Sequence, residues 1–398
     1  MRIKTIKDFY NFIFETRDFK RKLLRKKLNA EKIKKSEIKK LEKYVVKLLK
    51  IPLGAGNHVL EYAEGKKTNL DLFYEIDELI KDVIFLSETE KNFMDYLNKM
   101  NEDFENDVET GLEFISKSDI TTFISDRDGT INNYCGRYNS SIQSIYNASY
   151  LIDIAKILEK PVILTSAPLQ NTGFLDMNIM PPNFFVIAGS KGREFTWKNQ
   201  FYKMHLDEQQ QQKLNILNQK LQDLINKPYY EVFALIGSGL QFKFGETTIA
   251  RQDVYNSIPQ QDSQNFLQKV EEIVRNIDPK QEYFSIIDTG KDIEIILHKK
   301  DAGVSSEFSK GDGIEFISKK IGLNLTEADN LICGDTASDL AMLEYAEKVT
   351  PNNYSIFVTQ DEKLKEKVGK FASKNLFVSS PDALVTILHK YALERSTN

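Results

Sequence analysis

Cysteine and histidine are scarce in this chain, with two and four among 398 residues. Cys135 and Cys333 make no disulfide framework, and four scattered histidines give no ligand spacing for zinc. No uncharged stretch reaches the roughly 18 residues that a membrane span needs. The opening MRIKTIKDFYNF has no apolar core followed by a small-residue cleavage site, so no secretory leader is expected. Charge of one sign is not in excess either: 54 Lys and Arg against 58 Asp and Glu leave a formal net −4. That balance supplies no overall field for nucleic acid or an anionic membrane. These absences predict a chain of the reducing cytoplasm, with no nucleic-acid partner and no membrane span.

What is present has the texture of a globular protein, 41% hydrophobic and 28% charged, and is long enough for two or three domains. The charge is unevenly spread. Residues 1–50 hold 18 Lys/Arg against 6 Asp/Glu, and residues 51–118 hold 6 against 16. Both stretches carry apolar residues at helical spacing: Leu23, Leu24, Leu28, Ile33, Ile38, Leu41, Val45 and Leu48 in the first, then Leu72, Ile76, Ile80, Ile84, Phe93, Leu97, Phe104 and Val108. IPLGAGN (51–57) reads as a break between helices; with no strand before it, its Gly-Ala-Gly is a poor phosphate loop. A small bundle with mutually attracting basic and acidic arms is predicted over 1–117, its charged faces solvated. Self-association or a protein partner through these helices is a further expectation.

Near residue 119 the pattern changes to short runs apolar on both faces, alternating with amphipathic helices: ITTFIS (120–125), a helix over 139–158, PVILTS (161–166) and NFFVIAGS (183–190). Such alternation is the mark of a parallel sheet covered on both sides. Residues 206–298 interrupt it. A helix with Leu214, Leu217, Leu221 and Leu224 on one stripe leads into strand-like YYEVFALI (229–236) and GLQFKFGETTIA (239–250). A helix over 263–277 follows, then strands at 282–288 and 292–298. The α/β rhythm returns with a helix over 311–321, the strand NLICGD (330–335), a helix over 338–346, and the strands SIFVT and LFVSS. The expected class is α/β: a Rossmann-like parallel-sheet core (118–200 and 299–398), an αββαββ insert (201–298) and the helical domain in front.

Ligands of parallel sheets bind at the carboxyl ends of the strands, and polar motifs fall at three such ends. FISDRDGTINN (123–133) places Asp126 and Asp128 one residue apart, TS follows PVIL as Thr165-Ser166, and GDTASD follows NLIC as Asp335 to Asp339. Lys310 opens a helix in FSKGDGIEFI. Singly, each motif also reads as a turn, a cap or a surface lysine; their shared placement is what those readings leave unexplained. Crowded carboxylates repel unless a cation lies between them, and an all-oxygen set with phosphate favours Mg²⁺. Asp126 is placed to attack a phosphorus and form an aspartyl-phosphate. Asp128 is placed to protonate the leaving oxygen and then deprotonate water. Asp126 and Asp335 would ligate Mg²⁺ with the backbone carbonyl of Asp128, and Asp339 would ligate or hold a metal-bound water. Thr165, Ser166 and Lys310 would hold the phosphoryl oxygens. Arg127 has no evident role.

The ordered set DxDGT, Thr-Ser, Lys-Gly and GDxxSD resembles the haloacid dehalogenase superfamily of phosphatases over about residues 120–385. The insert resembles that superfamily's C2-type cap, which implies a sugar phosphate or a related small phosphomonoester as substrate. VIAGSKGREF (186–195), GETTIARQDV (245–254) and DIEIILHKK (292–300) are similar to segments of trehalose-6-phosphate phosphatases; by that resemblance Lys191, Arg251 and Glu294 would touch the sugar. The implied reaction is Mg²⁺-dependent hydrolysis of trehalose 6-phosphate. Ser166-Ala167-Pro168 stands where that family usually has Ser-Gly-Arg, and GDTASDL stands where it usually has Gly-Asp-Asp ahead of Thr-Asp-Glu. Glucosylglycerol phosphate, sucrose phosphate and glycosyl-3-phosphoglycerate are the alternative substrates. A scaffold with a degenerate site is the non-enzyme alternative, against which the retained carboxylate cluster argues.

Overall fold

A computed structural model describes residues 3–54, 56–63, 65–298, 307–327 and 329–396. The expected return from the insert at 299, and the two lysines that end DIEIILHKK, lie outside the described residues.

The first helix, Ile6–Leu28, begins on a capping box in which Thr5 accepts from the Asp8 N–H, and its last turn is basic. Lys35–Leu49 packs beside it through Leu41, Tyr44 and Leu48. The break expected at 51–57 is instead the entry to a three-stranded antiparallel sheet: Leu53–Gly54, Asn57–Ala63 and Lys66–Leu70. Gly56 and Gly65 take the positive φ of its two turns, 91° and 70°, so the glycines mark hairpins rather than a simple helix break. Helices Phe73–Ser87, Glu90–Met100 and Phe104–Ile115 follow. The acidic face of Phe73–Ser87 is not solvated as the charge pattern predicted: Glu75, Asp77, Glu78 and Asp82 are buried.

The central sheet has eight strands, in the spatial order Asn375–Val378, Asn353–Val358, Asp329–Gly334, Ile120–Asp126, Val162–Leu164, Val186–Gly189, Glu194–Trp197 and Gln200–Lys203. The first six run parallel, and the last two add an antiparallel hairpin. Strand alternation sends Phe123, Ile163, Leu331 and Ile356 to one face and Ile124, Leu164, Ile332 and Phe357 to the other. The first face is covered by helices Ile145–Ile157 and Pro381–Ser396 and, continuous with them, by the N-terminal helices. The second is covered by Lys310–Ile321, Leu340–Val349 and Glu362–Phe371. The helix expected over 139–158 starts only at Ile145, because residues 138–140 form a 3₁₀ turn.

Gln200–Lys203 is the sheet's last strand, so the inserted unit begins after it, at the helix Glu208–Ile225. Its four-stranded antiparallel sheet runs Phe284–Asp288, Asp292–Leu297, Glu246–Ala250, Leu240–Lys243. The αββαββ order holds with its first strands redrawn. Residues 229–236 form no strand: Glu231–Ala234 is a 3₁₀ turn. The apolar run there serves burial, since Val232 and Phe233 enter the core of the insert and Phe233 stacks on Phe266 at 3.7 Å. Short apolar runs do not declare their conformation. The 239–250 segment is two strands folded at Gly245, whose φ is 79°. Among the described residues no helix is long and apolar enough to cross a membrane.

Candidate active site

Three neighbouring strands deliver the site. Ile120–Asp126 lies between Asp329–Gly334 and Val162–Leu164, so Asp126, Asp335 and Thr165 emerge side by side at their carboxyl ends. Lys310 is the first residue of a helix whose Ser309 cap accepts from the Asp312 N–H, which aims its side chain across the strand ends. Its Nζ lies 2.5 Å from Asp126 Oδ1 and 2.5 Å from Asp339 Oδ1. The other oxygen of Asp339 accepts the backbone N–H groups of Asp335 and Thr336, at 3.1 and 2.9 Å. Thr130 Oγ1 donates to Asp335 Oδ1 at 3.1 Å. Gly129 at φ 91° passes so close that a Cβ would stand 2.2 Å from Asp335 Oδ2, leaving no room for a side chain at that turn.

Oxygens of Asp126, Asp335 and Asp339 lie within 4.8 Å of one another. Burial pushes the Asp126 carboxyl up, Lys310 only partly offsets this, and Asp339 adds repulsion, so that it stands at about 7. Burial and the charges of Asp126 and Asp339 raise Asp335 to about 8. Asp339 is held below the ordinary carboxylate range: burial works against ionisation, and the Lys310 ammonium and two backbone N–H groups overcome it. One lysine thus under-compensates three carboxylates. A divalent cation with oxygen preference fits this donor set.

The Asp128 carboxylate is not in that group. Its Oδ1 accepts from Arg127 Nη1 at 2.5 Å, Ser141 Oγ at 2.8 Å and Asn132 Nδ2 at 3.3 Å. That leaves the carbonyl as its route to a metal, the role the sequence suggested for it. Arg127, buried over the Phe174 ring, also donates to the Ser141 carbonyl at 2.5 Å. This escaped sequence reasoning, because Ser141 fell inside the helix expected over 139–158, whereas the helix starts only at Ile145.

A cavity of about 300 Å³ opens between the strand ends and the insert. Asp126, Asp128, Thr165, Ser166, Lys310 and Asp335 line it from below; Ser238, Gln241, Lys243, Gln252, Lys291 and Asp292 line it from above. None of the three sugar-contact residues suggested by resemblance is in this lining. Arg251 is taken up by Asp288, at 2.6 and 2.9 Å, and by Ser263. Lys191 pairs with Glu246 at 3.0 Å. Glu294 is half-buried, its carboxyl raised mainly by burial. Register puts Glu294 opposite Thr248, Thr248 opposite Gln241, and Glu246 opposite Lys243, so these residues share the polar face of the insert's sheet. The alternation Gln241-x-Lys243 was the signal that could have found the lining residues.

Strand order, the place of the insert, the three strand-end groups and the lysine that opens the helix after the insert define a phosphatase core of the haloacid dehalogenase superfamily. A family model described as "Trehalose-6-phosphate phosphatase, C-terminal" matches residues 123–384, and one for the "Trehalose-6-phosphate phosphatase N-terminal helical bundle domain" matches residues 5–104. The chain belongs to the trehalose-6-phosphate phosphatase family. It is 31% identical over 296 residues to the trehalose-phosphatase of Brugia malayi, covering 71% of this chain and 59% of that one. It is also 29% identical over 411 residues to alpha,alpha-trehalose-phosphate synthase [UDP-forming] 1 of Aphelenchoides avenae, covering 96% of this chain and 35% of that one. The chain thus spans about a third of the synthase relatives and three fifths of the phosphatase. The solved C-terminal domain of C. albicans trehalose-6-phosphate phosphatase is 15% identical, covers 72% of this chain and 96% of its own, and overlays with a TM-score of 0.45, too loosely to carry an argument.

Proposed function

We propose that this chain hydrolyses trehalose 6-phosphate to trehalose and phosphate. The observation that carries the reading is the cavity itself, with Asp126, Asp128, Lys310 and Asp335 on its floor and a polar roof from the insert. Asp126 attacks the phosphorus, and the ester oxygen leaves with a proton from Asp128. Asp128 then takes a proton from the water that cleaves the aspartyl-phosphate, and Asp126 is restored. Lys310, held between Asp126 and Asp339, steadies the charge of the non-reacting oxygens beside Thr165 and Ser166. Asp126, Asp335, Asp339 and the Asp128 carbonyl would hold Mg²⁺, which when bound offsets the carboxylate and phosphoryl charge together. Gln241, Lys243, Lys291 and Asp292 carry the hydrogen-bonding groups for the sugar, and the insert acts as a cap over it. Two buried cysteines without a disulfide support cytoplasmic work.

The test is phosphate release from a panel of sugar phosphates, with Mg²⁺ and with chelator, for the parent and Asp126→Asn. Trehalose 6-phosphate is expected to lead the panel, and the variant and the chelated enzyme to lose turnover. A monosaccharide phosphate that outpaces every disaccharide phosphate rejects the substrate; no Mg²⁺-dependent release from any ester rejects the reaction.

A further inference from the structure

The helix Phe73–Ser87 exposes an aromatic and buries its acids. Phe73 is 61% exposed, whereas Tyr74, Glu75, Glu78 and Asp82 are buried. A buried carboxylate is costly unless it finds donors, so the partners of these groups are informative. Lys81 pairs with Glu78 and Lys20 with Asp82, both at 3.0 Å; the other partners lie on residues 132–145, the stretch from the DxDGT turn to the first turn of Ile145–Ile157. Glu75 Oε1 accepts from Arg137 Nη2 at 2.7 Å and from Ser140 Oγ at 2.5 Å. Glu78 takes the Asn133 amide at 3.2 Å and the Ser144 N–H at 2.7 Å. Asp82 takes the Ile145 N–H at 2.5 Å. Two acids from the N-terminal region thus serve the positive end of a helix in the phosphatase core.

Tyr74 makes the contact that reaches the chemistry. Its hydroxyl donates to Asn132 Oδ1 at 3.1 Å. An asparagine amide has one accepting and one donating end, so the donor at Oδ1 turns Nδ2 toward Asp128 Oδ1 and Ser141 Oγ, at 3.3 and 3.0 Å. Flipped, the amide would set an oxygen against the carboxylate. Arg127 and Ser141 bind the same Oδ1. Among the described residues, the hydrogen bonds to this carboxylate all fall on Oδ1, which leaves Oδ2 for the substrate.

We propose that Tyr74 is a positioning residue of the phosphatase reaction: by fixing the Asn132 amide it pins Oδ1 of Asp128 and directs Oδ2 at the leaving oxygen of the ester. This rests on the reading of Asp128 as the proton donor. The N-terminal region then contributes to the geometry of catalysis as well as to stability.

Tyr74→Phe keeps the ring and removes the hydroxyl. With Mg²⁺ present, kcat/KM is measured for parent and variant on trehalose 6-phosphate, whose alkoxide needs a proton to leave, and on p-nitrophenyl phosphate, whose phenolate does not. This constant reports the steps through departure of the alcohol. The sugar ester is expected to lose about tenfold and the aryl ester less than about threefold. Equal losses on the two esters, or no loss, overturn the proposal. Asn132→Ala is expected to give the same imbalance, with Tyr74→Phe adding nothing in that background; additive losses overturn it too. Should Tyr74→Phe not fold, Asn132→Ala carries the comparison of esters. A parent chain that leaves trehalose 6-phosphate intact overturns the functional reading and this inference with it, and that failure shows in the parent rather than in the variant.

Discussion

The N-terminal helices cover one face of the sheet and the cap stands over its strand ends; the first join its apolar core and the second keeps its own. Leu24, Leu48 and Phe93 belong to one cluster with Ile145, Leu384 and the sheet residues Ile163 and Leu331. Leu217, Phe233, Phe266 and Ile293 close a separate cluster within the cap. Several contacts across the cap's border are polar: Lys191 with Glu246 at 3.0 Å, the Phe244 N–H to Ser190 Oγ at 2.8 Å, and Lys7 with Glu231 at 2.5 Å. A continuous apolar core makes two regions one cooperative unit, whereas a polar border can open without exposing much apolar surface. The N-terminal region is therefore fastened to the sheet as one unit, and the border of the insert is the one across which movement costs less.

The largest effect that tests this contrast is removal of residues 1–117. It would strip helices Ile145–Ile157 and Pro381–Ser396 of their apolar cover, and the truncated chain is expected to show no cooperative unfolding transition by circular dichroism. A truncated protein with undiminished turnover would break the comparison. Next come two phenylalanines of equal burial. Phe93, 4.7 Å from the Tyr146 ring, lies in the shared core; Phe233 lies in the cap. Each change to Ala is expected to cost about 3–5 kcal/mol. Phe93→Ala should lower a single global transition, while Phe233→Ala should produce an early cap transition that leaves the sheet folded. Calorimetry distinguishes one peak from two.

The two borders should also respond oppositely to acid. Burial would raise Glu246, but Lys243 and Lys191 hold it at about 2, from an ordinary 4.5. The unfolded chain therefore binds the extra proton between those values, so this group's contribution is present above pH 4.5 and lost as the pH falls toward 2. Asp82, between the N-terminal helices and the core, is raised by burial from 3.8 to about 6, Lys20 at 3.0 Å offsetting this only in part. Its contribution is greatest below pH 3.8 and is lost as the pH rises through 6. Each effect is on the order of 3 kcal/mol. In urea unfolding across pH, Glu246→Gln should flatten the limb from 4.5 to 2, and Asp82→Asn the limb from 3.8 to 6. If both variants flatten the same limb, the two borders are not electrostatically distinct.

The carboxylate cluster was legible because strand ends announce themselves: an apolar run, then Asp126, Thr165 or Asp335. The doubly buried strands of the parallel sheet were legible for the same reason. What escaped was whatever depends on a partner distant in sequence. The acids of Phe73–Ser87 read as a solvated face because their donors, Asn133, Arg137 and Ser144, lie some sixty residues on. YYEVFALI read as a strand because its apolar residues gave no sign that they fill a gap under Phe266. Arg251 was assigned to the sugar by resemblance alone, which carries no sign that Asp288 holds it.

That last disagreement sets the finest test. Lys243 lines the cavity and reaches Glu246 at 2.6 Å, whereas Arg251 braces two parts of the cap through Asp288 and Ser263. Lys243→Met is expected to raise the KM for trehalose 6-phosphate about tenfold, the worth of one charge-assisted hydrogen bond. Arg251→Gln should cost about 1 kcal/mol or less, because Asp288 is partly exposed and its ion pair is screened. That cost should appear in the cap's unfolding transition, with a smaller change in KM than Lys243→Met gives. The reverse order would mean that Arg251 leaves Asp288 when substrate arrives. The cap would then rearrange its own face on closing, rather than pivot as a rigid lid about its polar border.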